Sequence, residues 1–175
     1  SEKGGFYRCS KQASELYIEE YKRRFGLDFT ILRYGTLYGP RSDEHNSVHR
    51  YLRSALLEKR IFCPGTGAEV RDYIHARDAA RLSVAILSSE YKNKHIIISG
   101  HHPIRFRDMV NMVQEILGKK IKVVYAKNEN AAHYDYTPYS FIPKIGDKLT
   151  GQLYVDMGQG LLECLNDLHS RPMPR

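Results

Sequence analysis

Apolar residues recur at four-residue steps near the start of the chain, at Ala13, Tyr17, Tyr21 and Phe25. Because residues at this spacing share one side of a helix, they predict an amphipathic helix over residues 7–25, ended by Gly26. The segment that follows, DFTILRYG, is rich in β-branched and aromatic residues and stops at a glycine. It predicts a buried strand, and the next segment, TLYGPRSDEHN, predicts a loop.

Helical and extended patterns then alternate along the rest of the chain. Further helices are predicted over residues 47–59, 78–88, 107–117 and 158–169, the second of them capped by Asp78. Further strands are predicted at RIFC, VRDYIH, HIIIS and IKVVYA, with a turn at GHHPI and irregular structure over residues 127–140. This alternation of strands and helices predicts an α/β fold.

Length and composition are those of one globular domain or most of one. The chain has 175 residues, of which 42% are hydrophobic and 27% charged. No apolar run approaches the ~20 residues of a membrane span, and no signal segment opens the chain, so we expect a cytoplasmic protein that does not bind membranes. The three cysteines are far apart, a spacing that favours reduced thiols and predicts no metal site.

The net charge of +7 indicates an anionic partner. The basic residues are dispersed, whereas a nucleic-acid interface would gather them into a dense stripe with aromatic residues between them. We therefore expect a small phosphorylated molecule and no nucleic acid. Nucleic-acid binding stays as a rival hypothesis that charge alone supports.

Tyr7 and Lys11 stand four residues apart on the first predicted helix, which places them on one face, one turn apart. A tyrosine phenol has an ordinary pKa of about 10 and is a poor base at neutral pH. A cation ~4 Å away favours the phenolate by roughly 4 kcal/mol at an effective dielectric near 20. The pair can therefore serve as a general acid/base for a hydroxyl or carbonyl group, although a solvated surface pair has the same spacing.

Three segments in a fixed order extend this pair into a pattern: YRCSK, LRYGTLYGPR and RDYIHARDAA. Together they resemble the extended short-chain dehydrogenase/reductases, specifically the NAD-dependent sugar-nucleotide epimerases and dehydratases. The resemblance is weaker after Ser99. It implies the C-terminal part of a Rossmann-like parallel sheet together with a small α/β substrate-binding subdomain, interleaved along residues 1–175.

The resemblance also implies roles around a nicotinamide cofactor. Tyr7 would be the catalytic acid/base at a sugar hydroxyl, and Lys11 would bind the nicotinamide ribose and support the phenolate. Tyr34 and Gly35 match positions beside the nicotinamide. The implied cofactor is NAD rather than NADP, although the segment that discriminates between them is not found in this sequence.

The implied substrate is a nucleoside-diphosphate sugar. Arg71 matches an arginine that grips the diphosphate, a role that suits a guanidinium fork on physical grounds. Thr36 matches a substrate-binding position at which many relatives carry asparagine. The expected reaction is epimerisation or dehydration by transient oxidation at a sugar hydroxyl, and we expect Arg71 and residues 34–36 to share one cleft with Tyr7. The alternative is a non-catalytic module that binds a nucleotide sugar or a dinucleotide.

One element of the family pattern is not found. The sequence contains no glycine-rich dinucleotide loop, and the turn at Gly65 and Gly67 joins two predicted strands instead of opening a helix. We therefore expect the C-terminal portion of such an enzyme, inactive on its own. Because the tyrosine-bearing helix usually forms a dimer interface in this family, we also expect a homo-oligomer or a complex with a complementary N-terminal piece.

Overall fold

The computed structural model describes residues 5–63, 65–118, 120–125 and 146–171. The helices are α1 (Gly5–Phe25), α2 (Ser47–Glu58), α3 (Ala76–Ala85), α4 (Phe106–Ile116) and α5 (Met157–Ser170), with a short 3-10 helix at Ser89–Tyr91. The strands are β1 (Thr30–Tyr34), β2 (Thr36–Tyr38), β3 (Arg60–Cys63), β4 (Val70–Arg71), β5 (Tyr73–His75), β6 (Lys94–Ile98), β7 (Ile104–Arg105), β8 (Lys122–Tyr125) and β9 (Asp147–Leu149).

The main sheet is parallel, with strand order β1-β6-β9. Residues alternate between its two faces because successive side chains of a strand point in opposite directions. Leu32, Ile96 and Ile98 point to the face that α3 covers, and they form an apolar cluster with Leu82 and neighbouring residues. Arg33 and His95 point to the other face, where α1 lies.

The second unit is built from three two-stranded pairings: β2 with β5 and β3 with β8 are parallel, and β4 with β7 is antiparallel. Helices α2, α4 and α5 close its core, in which Leu52, Ile61, Met109 and Leu161 are fully buried. The fold is therefore α/β, as predicted, with a parallel sheet and a smaller α/β unit beside it.

Two short strands lie where the sequence predicted loop or turn. Strand β2 falls within the predicted loop TLYGPRSDEHN, and β7 falls at the end of the predicted turn GHHPI. Both are too short to show an alternating pattern, and they become strands only because β5 and β4 pair with them. Strand β9 was also not predicted. The predicted irregular segment at residues 127–140 lies outside the described residues.

The predicted cap of α3 is wrong. The helix begins at Ala76, and its N-cap is His75, whose Nδ1 accepts a hydrogen bond from the Arg77 backbone N–H at 3.2 Å. Asp78 instead lies in the first turn of the helix and is buried. The predicted single strand VRDYIH is also divided, because β4 pairs antiparallel with β7 whereas β5 pairs parallel with β2.

Within the described ranges, no helix is both long enough and apolar enough to span a lipid bilayer.

Candidate active site

The carboxyl ends of β1 and β6 meet at one edge of the main sheet. Tyr34 pairs with Ile98, and the Gly35 N–H then donates a hydrogen bond to the Ile98 carbonyl at 2.8 Å. The next residue, Thr36, donates its N–H to the Asp72 carbonyl at 2.7 Å, so the chain passes here from the main sheet to the β2–β5 pair. Ligands of open α/β sheets bind outside such carboxyl ends. Residues 34–36 are thus placed where a ligand site is expected.

Two contacts show how α1 crosses the main sheet. Glu15 binds Arg33 near the end of β1, and Glu19, one helical turn later, binds His95 near the start of β6. Because β1 and β6 are parallel, α1 runs antiparallel to both strands. Its N-terminal end therefore points toward the carboxyl edge of the sheet.

The direction of α1 determines where Tyr7 and Lys11 lie along the helix axis relative to the carboxyl edge of the main sheet. At about 1.5 Å per helical residue, Lys11 lies about 6 Å and Tyr7 about 12 Å from Glu15 along the axis. The Glu15 partner, Arg33, is the second-last residue of β1. Both Tyr7 and Lys11 therefore stand over or beyond the carboxyl edge that carries residues 34–36.

Tyr7 and Lys11 are brought together as their spacing predicted. The Lys11 ammonium nitrogen lies over the Tyr7 ring, 5.4 Å from its centroid, within the range of a cation–π contact. The Tyr7 side chain is 73% exposed. The phenol is therefore accessible to a ligand that approaches the edge, and a cation accompanies it.

Tyr34 is placed differently from Tyr7. Its side chain lies on the α3 face of the main sheet, and its hydroxyl is 2.6 Å from the Ser83 Oγ of α3. Helix α1 covers the opposite face. A contact between the Tyr34 ring and a nicotinamide stays a prediction, as does the predicted role of Gly35, whose backbone stands at the edge itself.

Arg71 lies next to the residue that binds Thr36. It is the last residue of β4 and precedes Asp72, whose carbonyl binds the Thr36 N–H. The Arg71 Nη1 donates a hydrogen bond to the Val70 carbonyl at 2.8 Å, which directs the half-buried side chain. Thr36 therefore binds the residue that follows Arg71 in the chain. That Tyr7 shares a cleft with them stays a prediction.

A cavity of about 120 Å³ lies beyond the carboxyl ends of β5 and β6. Its polar and aromatic lining includes Tyr38, Tyr73, His75, Asp78, His101 and Tyr154. Burial lowers the pKa of His75 and raises the pKa of Tyr38 and Tyr73, so all three side chains are held in their neutral forms. The volume is below the roughly 300 Å³ of a small-molecule pocket.

This cavity is separate from the predicted site. Among the described residues, none of the six predicted site residues lines it. The same part of the chain holds no group of three or more His, Cys, Asp or Glu placed to bind a metal ion. The acid/base role of Tyr7 and Lys11 and the diphosphate-binding role of Arg71 stay predictions.

The residues that dock α1 were missed at the sequence level. Glu15 and Glu19 continue the four-residue step that begins with Tyr7 and Lys11, so the stripe 7, 11, 15, 19 was visible in the sequence. The partners Arg33 and His95 gave no such signal, because single polar residues in predicted buried strands have no period. Pairing across 18 and 76 residues is a tertiary fact.

The sequence is similar to those of known proteins. The sequence profile of the NAD dependent epimerase/dehydratase family matches residues 3–99. The UDP-glucuronate 4-epimerase of Thermodesulfobacterium geofontis (strain OPF15) is 28% identical over 160 residues, which are 91% of this chain and 49% of the relative. The dTDP-glucose 4,6-dehydratase of Escherichia coli is 24% identical over 66% of this chain and 32% of the relative.

A solved structure has the same fold. It is a point mutant of UDP-glucuronic acid 4-epimerase from Bacillus cereus, in complex with UDP-4-deoxy-4-fluoro-glucuronic acid and NAD. It superposes with a TM-score of 0.80 at 23% identity and covers 93% of this chain and 52% of the solved chain. The chain thus spans about half the length of the relatives it matches.

Proposed function

The chain belongs to the NAD dependent epimerase/dehydratase family, and on that premise we propose that it supplies the acid/base pair and the substrate-binding part for the NAD-dependent epimerisation or dehydration of a nucleoside-diphosphate sugar. The single observation that carries the proposal is the course of α1. The helix runs antiparallel to β1 and β6, so its N-terminal end, which carries Tyr7 and Lys11, points toward the carboxyl edge that carries residues 34–36.

In this proposal Tyr7 moves the proton. Its phenolate, which the adjacent Lys11 ammonium stabilises, accepts the proton of a sugar hydroxyl, and the phenol formed in this way gives the proton onward. NAD, when bound, supplies the hydride acceptor. The residues present fit the reactive end of that cofactor, because an accessible phenol and a cation stand together at a carboxyl edge.

Arg71 and Thr36 orient the substrate. A guanidinium offers paired N–H donors that match the oxygens of a diphosphate, and the hydrogen bond from Arg71 to the Val70 carbonyl holds it in one direction. Thr36 contributes a hydroxyl at the carboxyl edge. Both residues therefore act by binding, so their loss should weaken affinity for the nucleotide sugar.

Binding is the first test. Calorimetry of the 175-residue chain with UDP-glucose should show that Arg71→Ala lowers affinity about tenfold or more, the loss expected for a charge-assisted hydrogen bond to phosphate. The matched control is Arg23→Ala, which removes an exposed arginine near the end of α1. Equal affinities of the two variants would contradict the assignment of Arg71.

Turnover is the second test. The chain alone should show no turnover and little affinity for NAD, because its sequence has no glycine-rich loop to hold the pyrophosphate. A fusion in which the glycine-loop segment of a relative precedes this chain should turn over a nucleotide sugar, and Tyr7→Phe should abolish that activity. A fusion that binds both ligands and shows no Tyr7-dependent turnover would favour the non-catalytic binding module.

A further inference from the structure

Helix α1 is docked without burying any of its own residues. None of its 21 residues, all of which the structure describes, is buried, and its large apolar side chains include Leu16, Tyr17 and Tyr21 at 56% exposure or more. An isolated helix of this length is only marginally stable in water. Its fixed position over the sheet must therefore come from contacts other than apolar packing.

Among the described residues, a cluster of four polar residues, which we call the clamp, joins α1 to the sheet: Glu15, Glu19, Arg33 and His95. The Arg33 guanidinium binds the Glu15 carboxylate through two hydrogen bonds, Nε to Oε1 at 2.8 Å and Nη2 to Oε2 at 2.7 Å. His95 Nε2 lies 2.9 Å from Glu19 Oε1, and its Nδ1 lies 3.2 Å from Arg33 Nη2. The four side chains are each no more than 21% exposed.

The clamp has the geometry of a fixed joint. Arg33 and His95 come from neighbouring parallel strands and point to the same face, since Ile31 pairs with His95 and Arg33 lies two residues beyond Ile31. Two carboxylates one helical turn apart therefore meet two strands at once. A bidentate pair fixes orientation as well as distance, so the clamp restrains both the height and the rotation of α1.

We infer that the clamp positions the Tyr7–Lys11 pair over the carboxyl edge. Four residues advance a helix by about 40° beyond one full turn, so Lys11 is about 40° and Tyr7 about 80° around the axis from Glu15. A rotation of α1 would carry both functional groups away from the edge. Glu15, Glu19, Arg33 and His95 are thus positioning residues, and their part in chemistry rests on the function proposed above.

Hydrogen exchange tests the docking without any ligand. Glu15→Ala should raise the exchange rates of α1 amides by roughly 100-fold or more, the consequence of removing the carboxylate that pairs with the buried Arg33. The matched control is Glu20→Ala on the same helix, whose carboxylate pairs with the exposed Arg23 and Arg24. The control should change the same rates by less than about threefold. Equal effects of the two variants would overturn the inference.

Amides of β6 and α4 serve as the internal reference in both variants. If Glu15→Ala unfolds the whole chain, Arg33→Lys replaces it, because lysine keeps the charge and loses the bidentate geometry. In that variant the exchange rates of α1 amides should still increase relative to those of β6 amides. Unchanged α1 exchange in Arg33→Lys would also overturn the inference.

Position, as distinct from stability, is read by spin-label distances. Cys9 is exposed on α1 whereas Cys63 and Cys164 are buried, so a label can be placed at Cys9 and a second at an introduced cysteine, Lys94→Cys, at the start of β6. One narrow distance distribution is expected, broadened by Glu15→Ala and narrowed again by the charge-swapped pair Glu15→Arg with Arg33→Glu. A distribution equally narrow in all three proteins would refute the positioning role. Failure of UDP-glucose binding would leave these readouts intact and count only against the proposed function.

Discussion

Replacing Asp78 by alanine should destabilise the protein by separating its two cores. Asp78 belongs to α3, which packs on the main sheet, yet its Oδ2 accepts a hydrogen bond from the Val155 N–H at 2.7 Å. Val155 immediately precedes Asp156, the N-cap of α5, and α5 packs in the core of the smaller unit. One buried carboxylate thus joins the main sheet to the smaller unit.

The magnitude follows from the kind of bond. A hydrogen bond to a charged group contributes roughly 1.5–3 kcal/mol, and the half-buried Val155 N–H left without its acceptor favours the upper end. We therefore expect Asp78→Ala to lower the free energy of unfolding by about 3 kcal/mol. Asp78→Asn keeps an acceptor oxygen and should lower it by only about 1 kcal/mol.

Thermal unfolding followed by circular dichroism separates these expectations. For a chain of this size each kcal/mol shifts Tm by roughly 2–4 °C, so Asp78→Ala should lower Tm by about 6–12 °C and Asp78→Asn by about 2–4 °C. Arg81→Ala is the control, because that exposed side chain lies 3.6 Å from Asp78 Oδ1 and should matter little. If Asp78→Asn lost as much as Asp78→Ala, the hydrogen bond to Val155 would not be the cause.

Two further predictions concern pH and association. Burial lowers the pKa of His49 and His75 below the ordinary 6.5, so below that pH the unfolded chain binds protons that the folded chain does not. The free energy of unfolding, measured in urea titrations, should therefore decrease as the pH is lowered from 7.5 to 5.5. The decrease should be smaller in the double variant with asparagine at both positions, and an equal decrease in both proteins would contradict this prediction. The aromatic residues Tyr17, Tyr21 and Phe25 are 56–70% exposed on α1, and we expect the chain to self-associate through them. Light scattering across a dilution series should show that the average mass decreases as the protein is diluted, and serine at all three positions should give a monomer. A wild-type chain that is monomeric at every concentration would disprove self-association.

The sequence pattern predicted the elements whose residues repeat. The four-residue step through Tyr17, Tyr21 and Phe25 predicted α1, which the structure extends to Gly5. The apolar segment HIIIS predicted β6. Such elements are predictable because their apolar side chains repeat with the period of a helix or form a continuous run, whatever they later pack against.

The sequence did not predict features that depend on contacts with residues far away in the chain. Strand β2 has three residues and two neighbouring glycines, so it carries too few side chains to show a period, and only pairing with β5 makes it a strand. Asp78 fits the rule for a helix cap, yet His75 takes that role and Asp78 binds a backbone N–H 77 residues away. Sequence rules for helix caps consider only residues that are near in the chain, so they cannot predict a hydrogen bond to a distant residue.

The same division holds at the candidate site. The sequence by itself determined that Tyr7 and Lys11 share a helix face, because helical geometry fixes any pair four residues apart. It also determined the order of the three segments that resemble the epimerase and dehydratase family. Only the tertiary structure decided where that face points, because Arg33 and His95 reach Glu15 and Glu19 across 18 and 76 residues of chain. A helix position over a sheet is set by such long-range contacts, and no local pattern encodes which buried polar residue will meet which.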